Sequence, residues 1–468
     1  MRFFVLALLL GNSPSAWCDP PAVTIDFRTS LGKIRQLHGV NGGPLVDGET
    51  IDLTERWREA GIPITRLHDV NWPRPDVVDF HAIFPSMDAD PANALNYSFA
   101  KTDDYLQSVR RTGTQIIFRL GESIEHSRVK YHVHPPRDLE KWSETCAGII
   151  RHYNHGWADG FRHGIRYWEI WNEPENRPAM WTGTDEEYFK LYTHTAKRIK
   201  REFPELKVGG PGVGSTGEFI GDTWHPNPFL EGFLHHVKAQ QAPLDFLSWH
   251  TYTDDPTLHS RKAVAIRAWL DHHGFNNAEL HLNEWNYLPD NDWSALDKKT
   301  SSSRREQWYA EMSSARGAAF LAYVLCNLQD SPVDVANLFA GDNSPFGLFT
   351  QHGEPKTTFY AFKAFNELVA MGTRVSVNGN QPGKWLVDAS LSEDKKSAVV
   401  LIAAYRDVPE NIDLWLQNRP WQKSKCICLR LDDKNNLAKS EGIEELDGKV
   451  SLPLERPGVT LIKIFSAD

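Results

Sequence analysis

Two short stretches place a glutamate directly after an asparagine and close to tryptophan: Trp171-Asn172-Glu173-Pro174 and Asn283-Glu284-Trp285-Asn286. Each lies at the end of a run that reads as a β-strand. Two carboxylates carried to one place by two strand ends can divide a reaction between them. One holds a proton for a leaving oxygen, and the other stays ionised to meet positive charge developing on carbon. Cleavage of a glycosidic bond asks for that pair. The chain's 17 tryptophans suit the same chemistry, because a flat indole stacks on the C–H face of a sugar.

Something must bring the two glutamates together. Apolar strand candidates at 34–40, 64–67, 115–120, 167–171, 207–210, 246–250 and 279–284, with an eighth within 333–340, alternate with helical patterns. One helix is predicted over 185–203. Its Asp185-Glu186-Glu187 start and its basic last turns match the helix dipole. Others are expected over 103–112, 306–328 and 357–370. Eight strand–helix units point to an α/β fold, a (β/α)₈ TIM barrel spanning 31–371, ahead of an open doubly wound sheet. In a barrel the C-terminal strand ends form the active face. Strands four and seven, which carry Glu173 and Glu284, are expected to face each other across the mouth. After Met371 the pattern changes to short alternating runs separated by turn residues, predicting a β-sandwich over 372–468. Residues 19–30 are expected to supply a strand to that sandwich.

With those residues in view, the chain resembles glycoside hydrolase family 39, within a clan of retaining-glycosidase barrels. The resemblance rests on Trp171-Asn172-Glu173-Pro174, on Glu284-Trp285-Asn286 and on Trp249-His250-Thr251-Tyr252. It implies a barrel followed by a β-sandwich, and β-xylosidase or α-L-iduronidase-like activity without a cofactor. It further implies Glu173 as general acid/base, Glu284 as nucleophile, Asn172 at a sugar 2-hydroxyl, and sugar contacts from His250 and Tyr252. The residues themselves add to this. Arg66, ending strand two in Arg66-Leu67-His68-Asp69, would keep the nucleophile ionised and oriented. Tyr252 could donate its hydroxyl to it. His68 and His38 sit at predicted strand ends, Asn41 lies in the loop after strand one, and Trp285 adjoins Glu284. All are candidate substrate contacts. Glu122, Glu169 and Glu175 are weaker acid candidates.

Composition narrows the alternatives. Net charge is −10 with no broad basic field, so a nucleic-acid partner is not expected. Met1-Arg2 followed by an apolar run to Leu10 and small residues to Ala16 reads as a signal peptide over 1–18. The protein is therefore expected to be secreted or periplasmic, with no membrane span. Five cysteines form no disulfide framework, and Cys426-x-Cys428 is read as free thiols. Gly212-Val213-Gly214-Ser215-Thr216-Gly217 matches a dinucleotide fingerprint but lacks its acidic partner, and reads as a rim loop. No metal is expected from His132, His134, His152 or His155. The expected substrate is an oligosaccharide yielding a neutral pentose, xylose or arabinose. The ground is that 331–351, strand eight and its loop, holds no arginine or lysine for a uronate. Endo-action, an iduronidase-like enzyme and a catalytically silent carbohydrate-binding barrel are the competing readings.

Overall fold

The computed structural model describes residues 22–45, 51–70, 76–439 and 448–467. The segment read as a signal peptide lies outside the described residues. Eight parallel strands close into a barrel. In chain order they are strand one (Gly39–Asn41), two (Ile64–Leu67), three (Gln115–Leu120), four (Tyr167–Ile170), five (Lys207–Val213), six (Phe246–Thr253), seven (Glu279–Tyr287) and eight (Val335–Leu338). Strand eight pairs with strand one, so the sheet has no free edge and the open doubly wound alternative does not hold. Strands four and seven do not face each other. Strands five and six separate them on the shorter arc, so they stand three places apart, one short of a diametric pair.

The helices form where the sequence supplies both an apolar stripe and an end. Asp185–Glu202 opens with a capping box: Thr184 accepts from Glu187 N at 3.2 Å, and the Glu187 carboxylate accepts from Thr184 N at 2.8 Å. The single helix expected over 306–328 is instead two, Ser302–Met312 and Ala315–Asn327. Ser314 caps the second through Arg316 N and Gly317 N. Gly317 lies so close beneath the first that a Cβ would stand 2.0 Å from Met312 O, so the chain must turn there.

The segment after Met371 joins the early strand Ala22–Lys33 in one nine-stranded sheet. Ala22–Lys33 pairs antiparallel with Thr373–Asn378 and parallel with Asn411–Gln417. The sheet curls over until Ile412 and Leu414, near one end, share a core with Cys426 and Cys428 near the other, which gives sandwich packing. Strand Ser397–Ala404 is buried on both faces. Val400 and Ile402 enter that core, while Val399, Leu401 and Ala403 join the core of the barrel and its helices. The four cysteines at 146, 326, 426 and 428 are buried free thiols.

Candidate active site

Alternation along strands two, four and six aims polar side chains into the barrel axis, where Arg66 organises them. Its guanidinium is fully buried. It donates through Nε to Glu169 Oε2 (2.6 Å), through Nη2 to Asn172 Oδ1 (2.6 Å), and through Nη1 to Asn41 Oδ1 and Glu284 Oε2 (3.2 Å each). Glu169 also accepts from Ser248 Oγ (2.6 Å) and Asn283 Nδ2 (2.5 Å). Two buried carboxylates outweigh the cost of burying Arg66 and raise its already high pKa, so it is a permanent cation. Glu169, the weaker acid candidate, is its ion-pair partner. Asn41, the expected sugar contact, is instead a brace, since Nδ2 donates to Asn283 O at 2.9 Å.

Glu173 and Glu284 emerge from this floor. Trp171 and Glu173 both hold positive φ, 71° and 42°, where the chain leaves strand four and bends across the mouth. On strand seven the pairing register with strand six shifts between Leu282 and Glu284. That bulge turns Asn283 and Glu284 inward in succession and Trp285 outward. One oxygen of Glu173, one of Glu284 and a ring nitrogen of His250 all lie within 4.8 Å of one another. His250 Nδ1 bonds Glu173 Oε1 at 2.7 Å, and its Nε2 is 3.7 Å from Glu284 Oε2. Tyr252 donates to Glu284 Oε1 at 2.6 Å, and Asn176 Nδ2 to Glu173 Oε2 at 3.0 Å.

The electrostatics follow from these contacts. Burial pushes the Glu173 carboxyl up, but the bonds from His250 and Asn176 outweigh it and hold it below its ordinary value. Burial pushes His250 down, but Glu284 and Glu173 outweigh that and raise it. Both shifts favour the proton on the imidazole side of the His250–Glu173 bond. Burial, with Glu284 next, holds the Tyr252 phenol far above its usual range, so it remains a donor. His68 is held neutral by burial and by Arg66 and Arg119. Asp69 rises to about 7 through burial, and Glu175 to about 7 through burial and the Glu173 charge.

These groups open into a cavity of about 650 Å³. His68, Asn172, Glu173, Tyr252 and Glu284 line it, and Trp293 and Phe346 form an aromatic wall beside Tyr252. Two expected contacts lie elsewhere. His38 precedes strand one and is buried against Phe365, ring centroids 5.3 Å apart. Trp285, turned out by the bulge, packs on His259 at 5.6 Å. Glu122 bonds His81 Nδ1 at 2.6 Å rather than reaching the pair. The Gly-rich stretch after strand five cradles a carboxylate: Gly214 N and Ser215 N donate to Glu175 Oε1 at 2.6 and 3.1 Å. Sequence reasoning missed Trp293, Phe346 and Lys262 as cavity residues. Trp293 was visible as the lone aromatic in the polar loop after strand seven.

Among the described residues, two clusters have the spacing of metal ligands, Glu173–His250–Glu284 and Asp79–His81–Glu122. The first has the Arg66 cation 3.2 Å from Glu284. In the second, Asp79 is paired with Arg119 at 2.5 Å and His81 is clamped between Glu122 and Asp76. Each cluster thus already has an arginine of the protein's own against one of its carboxylates.

Comparison with known proteins agrees with this architecture. A family model described as glycosyl hydrolases family 39 matches residues 75–413. A β-xylosidase of Geobacillus stearothermophilus is 30% identical over 267 residues, covering 51% of this chain and 48% of that protein, so the match spans about half of that relative. A β-xylosidase of Caldicellulosiruptor saccharolyticus is 24% identical over 430 residues, covering 83% of this chain and 79% of that one. The crystal structure of a glucosidase from Croceicoccus marinus superposes with TM-score 0.76 at 26% identity, covering 96% of this chain and 99% of the other. A monomeric β-xylosidase from Caulobacter crescentus CB15 shares the fold, with TM-score 0.69 at 18% identity over 96% of this chain and all of that one. With the model matching most of its length, the chain belongs to glycosyl hydrolases family 39.

Proposed function

We propose that the protein is a retaining O-glycosidase that releases a neutral sugar, xylose first among the candidates, by double displacement. The observation that carries this reading is the closeness of the two carboxylates. One oxygen of each within 4.8 Å of the other fits the close carboxyl spacing of retaining enzymes, about 5–5.5 Å, better than the roughly 6.5–9.5 Å of inverting ones. Glu284 is the nucleophile. Both of its oxygens are held, by Tyr252 and Arg66, so the attacking lone pair is aimed before substrate arrives. Glu173 is the acid/base. His250 passes the shared proton to it, Glu173 delivers that proton to the leaving oxygen, and then as carboxylate it draws a proton from the water that hydrolyses the glycosyl-enzyme. Asn172, fixed by Arg66, presents its amide to the sugar's 2-hydroxyl. The names of the two bacterial relatives support xylose. Export through the N-terminal segment completes the reading.

The test is to incubate the protein with an activated 2-deoxy-2-fluoro-xyloside and digest it. A fluoroxylosyl adduct on Glu284, together with NMR showing the first-formed xylose in the substrate's own anomeric configuration, is expected. An inverted product, or an adduct on another residue, would overturn the assignment.

A further inference from the structure

Lys262 lies in the helix Leu258–His272 and lines the catalytic cavity. Among the described residues lining that cavity it is the sole lysine or arginine. Its arginine neighbours on the helix have acidic partners: Arg261 pairs with Asp255 at 3.7 Å and Arg267 with Asp271 at 2.7 Å. Lys262 has none among the described residues. Its Nζ reaches only Thr251 Oγ1, at 3.4 Å. Burial alone lowers this ammonium to about 8, with no acid offsetting the loss of water. A half-buried cation without a counter-charge is costly unless a ligand supplies one.

His250 and Tyr252 point inward to Glu173 and Glu284, so Thr251 between them faces the other side of strand six, and Lys262 with it. The ammonium therefore reaches the cavity from the helix-layer side of strand six, and neither Glu173 nor Glu284 offsets its burial.

We infer that Lys262 receives an anionic group, carboxylate or sulfate ester, on a sugar other than the neutral one released, so that the preferred substrates are acidic oligosaccharides. This rests on the glycosidase reading.

The experiment uses the full chain carrying Glu284→Gln, which binds without turnover. Calorimetry compares a neutral xylo-oligosaccharide with a uronate-substituted and a sulfated one of equal length. One anionic ligand is expected to bind about tenfold tighter than the neutral one, as a charge-assisted hydrogen bond gives, and which one does so identifies the source of the charge. Adding Lys262→Met should abolish the preference and Lys262→Arg should keep it. Equal affinities in the parent, no binding of any ligand, or a preference that survives Lys262→Met would overturn the inference. Turnover of a neutral aryl xyloside by the wild-type protein tests the glycosidase reading separately, since that substrate carries no anion.

Discussion

Glu173 occupies the space that a side chain at position 214 would need. A Cβ on Gly214 would stand 2.6 Å from Glu173 Oε1, the oxygen that bonds His250. The glycines after strand five therefore keep a pocket open for a carboxylate. Gly214→Ala is expected to displace that carboxylate and reduce kcat at least tenfold on substrates with poor leaving groups, with a Tm close to wild type because the rim loop is not core. Steady-state kinetics beside a thermal melt check this. An unchanged kcat would mean that Glu173 can retreat without loss.

The two glutamates should separate by leaving group. Glu284→Ala is expected to lose turnover on every aryl glycoside. Glu173→Ala should lose far more on poor leaving groups than on good ones, because only the poor ones need a proton. Azide should restore Glu173→Ala and yield a glycosyl azide of retained configuration. Equal losses across the leaving-group series would reverse or remove these roles.

Tyr252→Phe deletes the 2.6 Å bond to Glu284 while keeping the ring against Trp293. A hydrogen bond to a charged group contributes about 1.5–3 kcal/mol. The expected fall in kcat/KM is therefore about 10- to 100-fold, with little change in Tm. The adduct-trapping rate, which reports attack by Glu284 directly, should fall in parallel.

Glu175 adds a charge beside Glu173 that depends on pH. Its carboxyl titrates at about 7, so above that it is negative and pushes the Glu173 pKa up. Glu175→Gln retains an acceptor for Gly214 N and Ser215 N but removes the charge. The basic limb of the kcat/KM–pH profile, which follows loss of the acid's proton, is expected to move to lower pH. A limb that stays in place, or moves up, would show that Glu175 does not act on Glu173.

Acid should also cost stability through a buried histidine. His38 falls to about 4 by burial, against an ordinary value near 6.5. Its folded-state pKa is depressed, so the unfolded chain binds the extra proton first. The contribution is present above 6.5 and is lost as pH falls toward 4, by roughly 3 kcal/mol in all. Buried acids such as Asp388, raised to about 6, titrate in the opposite sense, so the total slope mixes both. The difference between wild type and His38→Phe isolates the histidine. The variant's Tm should decline less between pH 7 and pH 4.5, and identical declines would place the loss elsewhere.

The barrel, the sandwich and the two glutamates were legible in the sequence because their signals are local. Strand-length apolar runs, helix caps such as Thr184 with Glu187, and Asn-Glu at two strand ends each need only neighbouring residues. The direction of a side chain at a strand end is not local. Trp285 reads as a pocket residue beside Glu284, yet the bulge after Leu282 reverses its phase and sends it to the helix layer, while Trp293 from a polar loop takes the wall. His38 reads as a strand end until the ladder begins one residue later, at Gly39, and leaves it against Phe365.

By itself, then, the sequence pointed to most of the barrel strands, to several of the helices and to the acids at two strand ends, because propensity, capping and periodicity act over a few residues. Tertiary structure alone decided that Arg66 binds Glu169, Asn172 and Glu284 at once, that His250 bonds Glu173, and that Lys262 reaches the cavity with no acidic partner among the described residues. Those relationships join residues up to 218 positions apart. They depend on barrel closure and on the register of each strand against the next, which only long-range pairing and the packing of the helix layer can set.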